Sequence, residues 1–579
     1  MYQTLQEFIE HLREQGELHV VASPVNPVLE ISAVTDRVSK SSCPKKSNDA
    51  ERFDPLHCNQ GGKALLFEKV QGCDFPLAIN LFGSYSRMEI ALNCENKGGL
   101  TGLANRIDDL AELSPPKSWR DAAGMLKRYV PLLRIGPRRR RHGLCQEVVK
   151  LTERGEVDLT RLPLIKCWPL DGDPEAVGSG MTAEQAGTAG GEGRYITFAG
   201  MHTIHADDRN SDRPHSHNIG MYRAQLIDKT HLAMHWHIHH DGAAHWRSWK
   251  KIGEKMPIAI CFGGESVLPY AATAPLPPGI SELLMAGFLN GRGIPMVRGK
   301  TVPLFVPANS EIVIEGYVST SCGGIGFDPR SGEELGEGAV FEGPFGDHTG
   351  FYSLPDRYPV VEVTAITHRR NAVFPATIVG PPPQEDYYMG KATERIFLPL
   401  LRKIIPDLAD YDLPMFGCFH NCAFLQIHKE YPLQGRKVMF SVWGAGQMAW
   451  TKIIIVVDDD VPVHNHREVF ATIFRNCDFS SDVETVQGPL DILDHAAPSL
   501  GTGGKLGIDA TRKLENEGTN NDNREINNRP LSDTFIDDLI GEAGIHDAEM
   551  PDYSNGRALF IAVDPQPGAG MAAVEHVLK

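Results

Sequence analysis

The chain has 579 residues, 41% of them hydrophobic and 23% charged, the balance of an ordinary soluble globular protein long enough for roughly two to four domains. A net charge of −17 excludes broad binding to nucleic acid or to an anionic membrane, both of which need basic surface, so an anionic substrate has to be met by a local cationic pocket. The opening MYQTLQEFIEHLREQGEL is neither a signal peptide nor an Arg-rich transit sequence, no apolar run approaches a membrane span, and a cytoplasmic enzyme is expected.

Residues 4–15 place Leu5, Phe8, Ile9 and Leu12 on one helical face, and Gly16 stops the helix. Residues 40–62 are polar and broken by Gly and Pro, which predicts an exposed loop. The basic run Arg138 to Arg141 follows Pro137 and marks a domain junction or simply a solvated surface. From about 145 to 350 short β-branched runs bounded by turn residues predict strands: GRYITFAGMHTI, NIGMYRAQLID, MPIAICFG and EIVIEGYV. Helical patterns follow at 281–291 and 392–408, then a buried strand in KIIIVVDDDV at 452–461. Gly501 to Lys505 could offer backbone amides to an anion or be a flexible loop, and 514–530 is rich enough in Asn and charge to predict a mobile loop. No Walker motif and no dinucleotide fingerprint opens a helix after a strand. Eleven cysteines without a CxxC pair indicate neither a disulfide framework nor a thiolate zinc site, and Cys418 and Cys422 read as buried thiols.

Two constellations carry chemistry. Glu342 and Asp347 stand five positions apart among three glycines and a proline in FEGPFGDHTG, so both acids project from a tight, shaped loop suited to proton transfer, or to a solvated surface turn. Histidines crowd residues 215–217 and 231–246, and alternation in a strand would point His235, His237 and His239 to one face. No spacing there identifies zinc, so metal-binding and structural readings both stand.

NIGMYR (218–223), HWHIHHDGA (235–243), Ser281-Glu282, EGPFGDHTG (342–350), WTKIIIVVDDD (450–460), GKLGIDAT (504–511) and the N-terminal INLFGSYSRMEIAL (79–92) resemble the UbiD-type decarboxylases in order and approximate spacing. The resemblance covers nearly the whole chain apart from 40–62 and 514–530, which look like insertions. It implies an α/β (mixed α+β) fold: an N-terminal α/β domain at 1–130, a central split β-barrel that binds flavin at 131–350, and a C-terminal α/β domain for assembly at 351–579. It further implies a carboxy-lyase that uses prenylated FMN, supplied by a flavin prenyltransferase, to decarboxylate aromatic or α,β-unsaturated acids reversibly, releasing CO2 through a covalent adduct of substrate and cofactor. Homodimers or homohexamers are implied as well.

By the same motifs Asn218, His239 and Glu282 would hold a divalent ion, usually Mn2+, with K+ nearby, and His237 and His240 compete with His239 for the register. Asn218, Arg223 and Lys452 would meet the cofactor, Lys452 at its phosphate. Arg223, Glu342 and Asp347 would form the catalytic trio, with Asp347 giving the proton that replaces CO2 and Glu342 holding the arginine and taking part in the proton relay. The similarity to hydroxybenzoate-type members, including Asp at position 347, implies a hydroxylated benzoate; another aryl, heteroaryl or unsaturated acid is the alternative. His495 either polarises a phenol at the distal end of the ring or is structural. Two rival classes are a zinc hydrolase built on the histidines and an idle flavin or metal scaffold.

Overall fold

The computed structural model describes residues 1–111, 118, 124, 129–276, 280–326, 335–515, 517, 533–540, 544–554, 556, 558–564 and 569–577. Almost all of the segment 514–530 therefore lies outside the described residues. The chain forms two compact units, Met1–Pro399 and Leu400–Lys579.

In the first unit, α1 (Leu5–Glu14) starts where the Thr4 side chain accepts from the Glu7 amide, and it buries Leu5, Phe8, Ile9 and Leu12 as the periodicity predicts. The dominant element is a ten-stranded sheet of β1 (Val148–Leu151), β2 (Tyr195–Ile196), β3 (Gly200–Thr203), β4 (Asn218–Met221), β5 (Arg223–Leu226), β6 (His231–His235), β7 (Met256–Phe262), β8 (Ile312–Val318), β9 (Ala339–Glu342) and β10 (Asp356–His368). The strand order is β2-β5-β6-β10-β8-β7-β3-β4, with β1 and β9 also pairing with the long β10, and the sheet curls into a half-barrel.

All seven residues of β7 are buried, and its apolar side chains pack with those of β8 and with Trp236, Trp246 and Trp249 in one large core. Each fully buried aliphatic side chain there contributes about 1.5–3 kcal/mol relative to exposure. Two helices bear on the site: α2 (Asp241–Ile252), which follows His240, and α3 (Glu282–Asn290), capped by the Ser281 hydroxyl. A third, α4 (Glu385–Ile404), begins earlier than the 392–408 pattern and accommodates Pro399.

Three local expectations change. Residues 40–62 are not simply an exposed loop, because Ser47, Ala50, Phe53, Asp54 and Cys58 are buried and Asp54 accepts hydrogen bonds from the Tyr85 and Tyr387 hydroxyls at 2.6 and 2.7 Å. Residues 501–505 are not a loop beyond Gly501: Thr502–Asp509 is a strand, paired with Val483–Pro489 and Ile453–Asp458, so its backbone groups serve the sheet. The histidine stretch is a strand only as far as His235, after which 237–240 turn into α2, so strand alternation does not align His235, His237 and His239.

The second unit carries a five-stranded mixed sheet, with Cys422–Ile427, Ile453–Asp458 and Thr502–Asp509 parallel at its centre. Cys422, Phe424, Ile455, Val457, Val469 and Ile473 fill its core, and Cys418 is only half-buried. Among the described residues no helix is long and apolar enough to cross a membrane.

Candidate active site

Four neighbouring strands build the centre of the site. Arg223 at the start of β5 and His235 at the end of β6 are direct partners in an antiparallel register, which puts both side chains on one face. Glu342 ends β9 opposite Asp356 of β10, and β10 in turn pairs with β6. Across this surface Arg223 grips Glu342 with two parallel bonds, Nε to Oε1 at 2.7 Å and Nη2 to Oε2 at 3.1 Å, a planar fork that only arginine provides. Nη2 also donates to Ser353 Oγ at 3.2 Å, and the guanidinium lies over the Phe345 ring, 4.5 Å from its centroid.

Glu342 has no solvent exposure. Burial opposes its ionisation, but Arg223 and His235 outweigh that cost and hold its carboxyl down at about 2.

The loop that follows is fixed from several sides. The Gly343 amide donates to Gln225 Oε1 at 2.9 Å, and the Pro344 carbonyl accepts from the Tyr195 hydroxyl at 3.0 Å and the Gly172 amide at 2.8 Å. The Gly346 amide donates to Asp171 Oδ1 at 2.8 Å, while Asp171 Oδ2 takes the amides of Cys167 and Trp168 at 3.0 and 2.9 Å. Position 346 needs glycine because a Cβ there would sit 2.3 Å from Cδ1 of Trp168.

The loop thus delivers Asp347 as a buried carboxylate, 2.8 Å from His348 Nδ1. Burial again opposes ionisation, and His348 with Arg223 reverses the balance and keeps Asp347 below the ordinary carboxylate range. Asp386 on α4 stands 4.0 Å from the same His348 nitrogen and is pushed up to about 6 by burial. The acid pair of the sequence is therefore a built feature and not a solvated turn. Each acid has its own histidine.

Asn218 and Glu282 also come together. The Glu282 carboxylate accepts from the amide of Ile219, next to Asn218, at 3.0 Å, and burial pushes this acid up to about 6. Tyr222 folds back over Gly220, where a Cβ would meet the phenol ring at 2.1 Å, and its hydroxyl accepts from the Gly242 amide at 3.2 Å. The Tyr222 ring stacks on His240, and His240 on His237, with centroids 5.1 and 4.9 Å apart. His239 and Ile238 are the exposed members of the 237–240 turn beside them.

The Asn218 amide nitrogen is buried without a partner, and Glu282 is half-buried with its charge disfavoured. An anion such as a phosphate would satisfy the first and a divalent cation the second, so this pair fits a metal-bound phosphate. Ile219 also helps line a small cleft with Phe198, His202, Met221, Cys261 and Leu268.

Lys452 and His495 belong to the second unit. There Lys452 Nζ lies 2.8 Å from Asp494, the residue before His495. The sequence marks His235 only as one of three histidines that a strand would align, and its link to Glu342 escapes the sequence. The residue is one histidine in a crowded stretch, and the 107 positions between it and Glu342 leave no local signal.

Comparison with known proteins supplies the context. The family model described as the 3-octaprenyl-4-hydroxybenzoate carboxy-lyase Rift-related domain matches residues 138–382, and the corresponding N-terminal and C-terminal domain models match 9–107 and 387–510. An uncharacterised protein of Aquifex aeolicus is 40% identical over 545 residues, 94% of this chain and 99% of its own length. One from Archaeoglobus fulgidus is 41% identical over 522 residues, 89% of this chain and 93% of its own.

Among solved structures, the vanillic acid decarboxylase of Sedimentibacter hydroxybenzoicus in its closed form has a TM-score of 0.68 at 23% identity, covering 90% of this chain and 94% of that one. An evolved dimeric form of the UbiD-class enzyme HmfF from Pelotomaculum thermopropionicum, in complex with prFMN, has a TM-score of 0.64 at 22% identity, covering 90% and 97%. The apo 3,4-dihydroxybenzoic acid decarboxylase of Klebsiella pneumoniae has a TM-score of 0.64 at 18% identity, covering 88% and 95%. At these identities the structures share the fold.

Proposed function

Because the chain belongs to the UbiD family of carboxy-lyases, we propose that it decarboxylates an aromatic carboxylic acid, a hydroxylated benzoate, reversibly and with prenylated FMN as cofactor. The observation that carries this reading is the buried fork of Arg223 on Glu342 next to the constrained Asp347 loop. Structural relatives whose names specify vanillic and 3,4-dihydroxybenzoic acids support the substrate class, and the complex of HmfF with prFMN supports the cofactor.

Loss of CO2 from an sp² carbon leaves an electron pair that no side chain can delocalise, and prenylated FMN, when bound, supplies the electrophilic sink for it. Asn218 and Glu282, with His239 from the adjoining turn, would hold Mn2+ and through it the cofactor phosphate, with K+ alongside. Arg223 is fixed by Glu342 and presents a permanent positive charge towards which a substrate carboxylate orients. Glu342, gripped by three N–H groups, stays anionic. Asp347, ionised at rest, would pass to the carbon that CO2 leaves a proton that it first takes from His348, 2.8 Å away.

Lys452 is proposed as a phosphate contact and His495 as a contact of the ring hydroxyl. Each is tested by its own alanine variant, because both belong to the other unit.

The test is to co-produce the chain with a flavin prenyltransferase and to follow a panel of aryl acids by mass spectrometry, with bicarbonate added for the reverse direction. The expected result is a protein that carries modified flavin and releases CO2 from a hydroxybenzoate. A protein that takes up no modified flavin and releases CO2 from no aryl acid overturns the proposal. Glu342→Gln is expected to retain flavin and to lose about 10²–10⁴-fold in kcat. Full activity in that variant would remove Glu342 from the machinery.

A further inference from the structure

We infer that His235 is a positioning residue whose Nδ1–H fixes Glu342 as the clamp on Arg223. The inference rests on the reading of the site given above and names a residue outside the family-derived trio. It starts from geometry. His235 Nδ1 lies 2.7 Å from Glu342 Oε2, the oxygen that also accepts from Arg223 Nη2 at 3.1 Å. The other ring nitrogen, Nε2, lies 3.4 Å from the Tyr358 hydroxyl, and the two rings face each other with centroids 4.2 Å apart.

These partners determine the tautomer. An ionised carboxylate only accepts, so Nδ1 carries the hydrogen that points at Glu342, and in the neutral ring Nε2 is left to accept from the Tyr358 hydroxyl. Burial together with the adjacent Arg223 charge disfavours the imidazolium, against the pull of Glu342. The ring is therefore a fixed donor. Glu342 then holds three donated hydrogens on two oxygens, an arrangement that favours the anion and disfavours any protonated form.

The strands explain why the arrangement is rigid. His235 is the register partner of Arg223, and Tyr358 is the register partner of Val340, two residues before Glu342. Side chains two residues apart along a strand share a face, so Tyr358 and its partner's neighbour Glu342 lie over the same part of the sheet. All four side chains stand on strands and none on a loop, which gives the geometry a precision that loops do not provide.

The two nitrogens of the ring allow a sharp test. Asn at position 235 can place an amide N–H near where Nδ1 stood, whereas Gln reaches to where Nε2 stood. In the holoenzyme, with a hydroxybenzoate that the wild type turns over, His235→Ala and His235→Gln are expected to lose about 10–100-fold in kcat with KM changed less than about threefold. His235→Asn is expected to recover most of that loss. A solvent deuterium isotope effect that rises in His235→Ala marks the loss as one of proton transfer.

A second measurement needs no turnover. Histidine-¹⁵N spectra of the protein as purified, assigned by difference from His235→Asn, are expected to show a neutral ring with its hydrogen on Nδ1, and to change in Glu342→Gln. Equal activity of the Asn and Gln variants, wild-type kcat in His235→Ala, or a hydrogen on Nε2 overturns the inference. Should the wild type release no CO2, the proposed function fails, and the tautomer alone still decides for or against His235.

Discussion

Glu342 is removed from water and still ionised, and that combination has a thermodynamic consequence. A carboxyl whose folded value lies below its unfolded value adds stability that is present above the unfolded value and is lost as pH falls through the folded one. For Glu342 the window runs from 4.5 down through about 2, and Asp347 acts in the same direction. The Glu342 contribution is about 3 kcal/mol at neutral pH, of which more than half is gone by about pH 3. Urea unfolding between about pH 5 and pH 3 is therefore expected to show a steep loss in the wild type and a flatter one in Glu342→Gln, which starts lower because Arg223 has lost its partner. Equal slopes would mean that the ion pair does not set acid stability. At this scale the sequence was informative wherever chemistry was local. Glycine and proline around Glu342 and Asp347 announced a shaped loop, and the NIGMYR motif brought Asn218 and Arg223 forward. His235 stayed hidden because its role depends on Glu342 and Tyr358, at positions 107 and 123 further along the chain.

Elements were legible in proportion to their periodicity. The runs at 256–263 and 311–318 became β7 and β8 nearly residue for residue, since a buried strand needs only a short apolar run and flanking turns. Residues 40–62 misled because polarity was read as exposure. Asp54 is buried there by the hydroxyls of Tyr85 and Tyr387, one of them 333 positions away, and nothing local announces such partners. The glycine-rich 501–505 misled in the opposite way, as its glycines sit in a paired strand. In the 343–350 loop glycine has a definite steric task. Gly346→Ala would drive a methyl group into Trp168, and the expected cost is about 1–3 kcal/mol in a denaturant titration, with a larger fractional loss of kcat than of stability because Asp347 is the next residue. A variant as stable and as active as the wild type would show that the loop yields at no cost.

For the whole molecule, the family models at 9–107, 138–382 and 387–510 and the two compact units divide the chain at different grain, because a domain recognised by sequence can share a core with its neighbour. The proposed assembly is a homodimer or homohexamer, and light scattering on a sizing column is expected to return two or six copies of the 63.7 kDa chain, whereas a single copy would overturn it. The half-barrel was legible as a class of strand-rich middle, but its strand order was not, since order depends on pairings between segments that no periodicity encodes. Trp168 gives this architecture one further property. Its indole N–H donates to the Val379 carbonyl at 2.6 Å, and its ring packs so closely on Gly346 and Gly380 that a Cβ at either would lie 2.3 Å away. An emitter in contact with the Asp347 loop is an optical gauge already inside the protein: the emission lost in Trp168→Phe is the part whose wavelength and lifetime report, without any label, how the loop responds when a ligand or cofactor arrives.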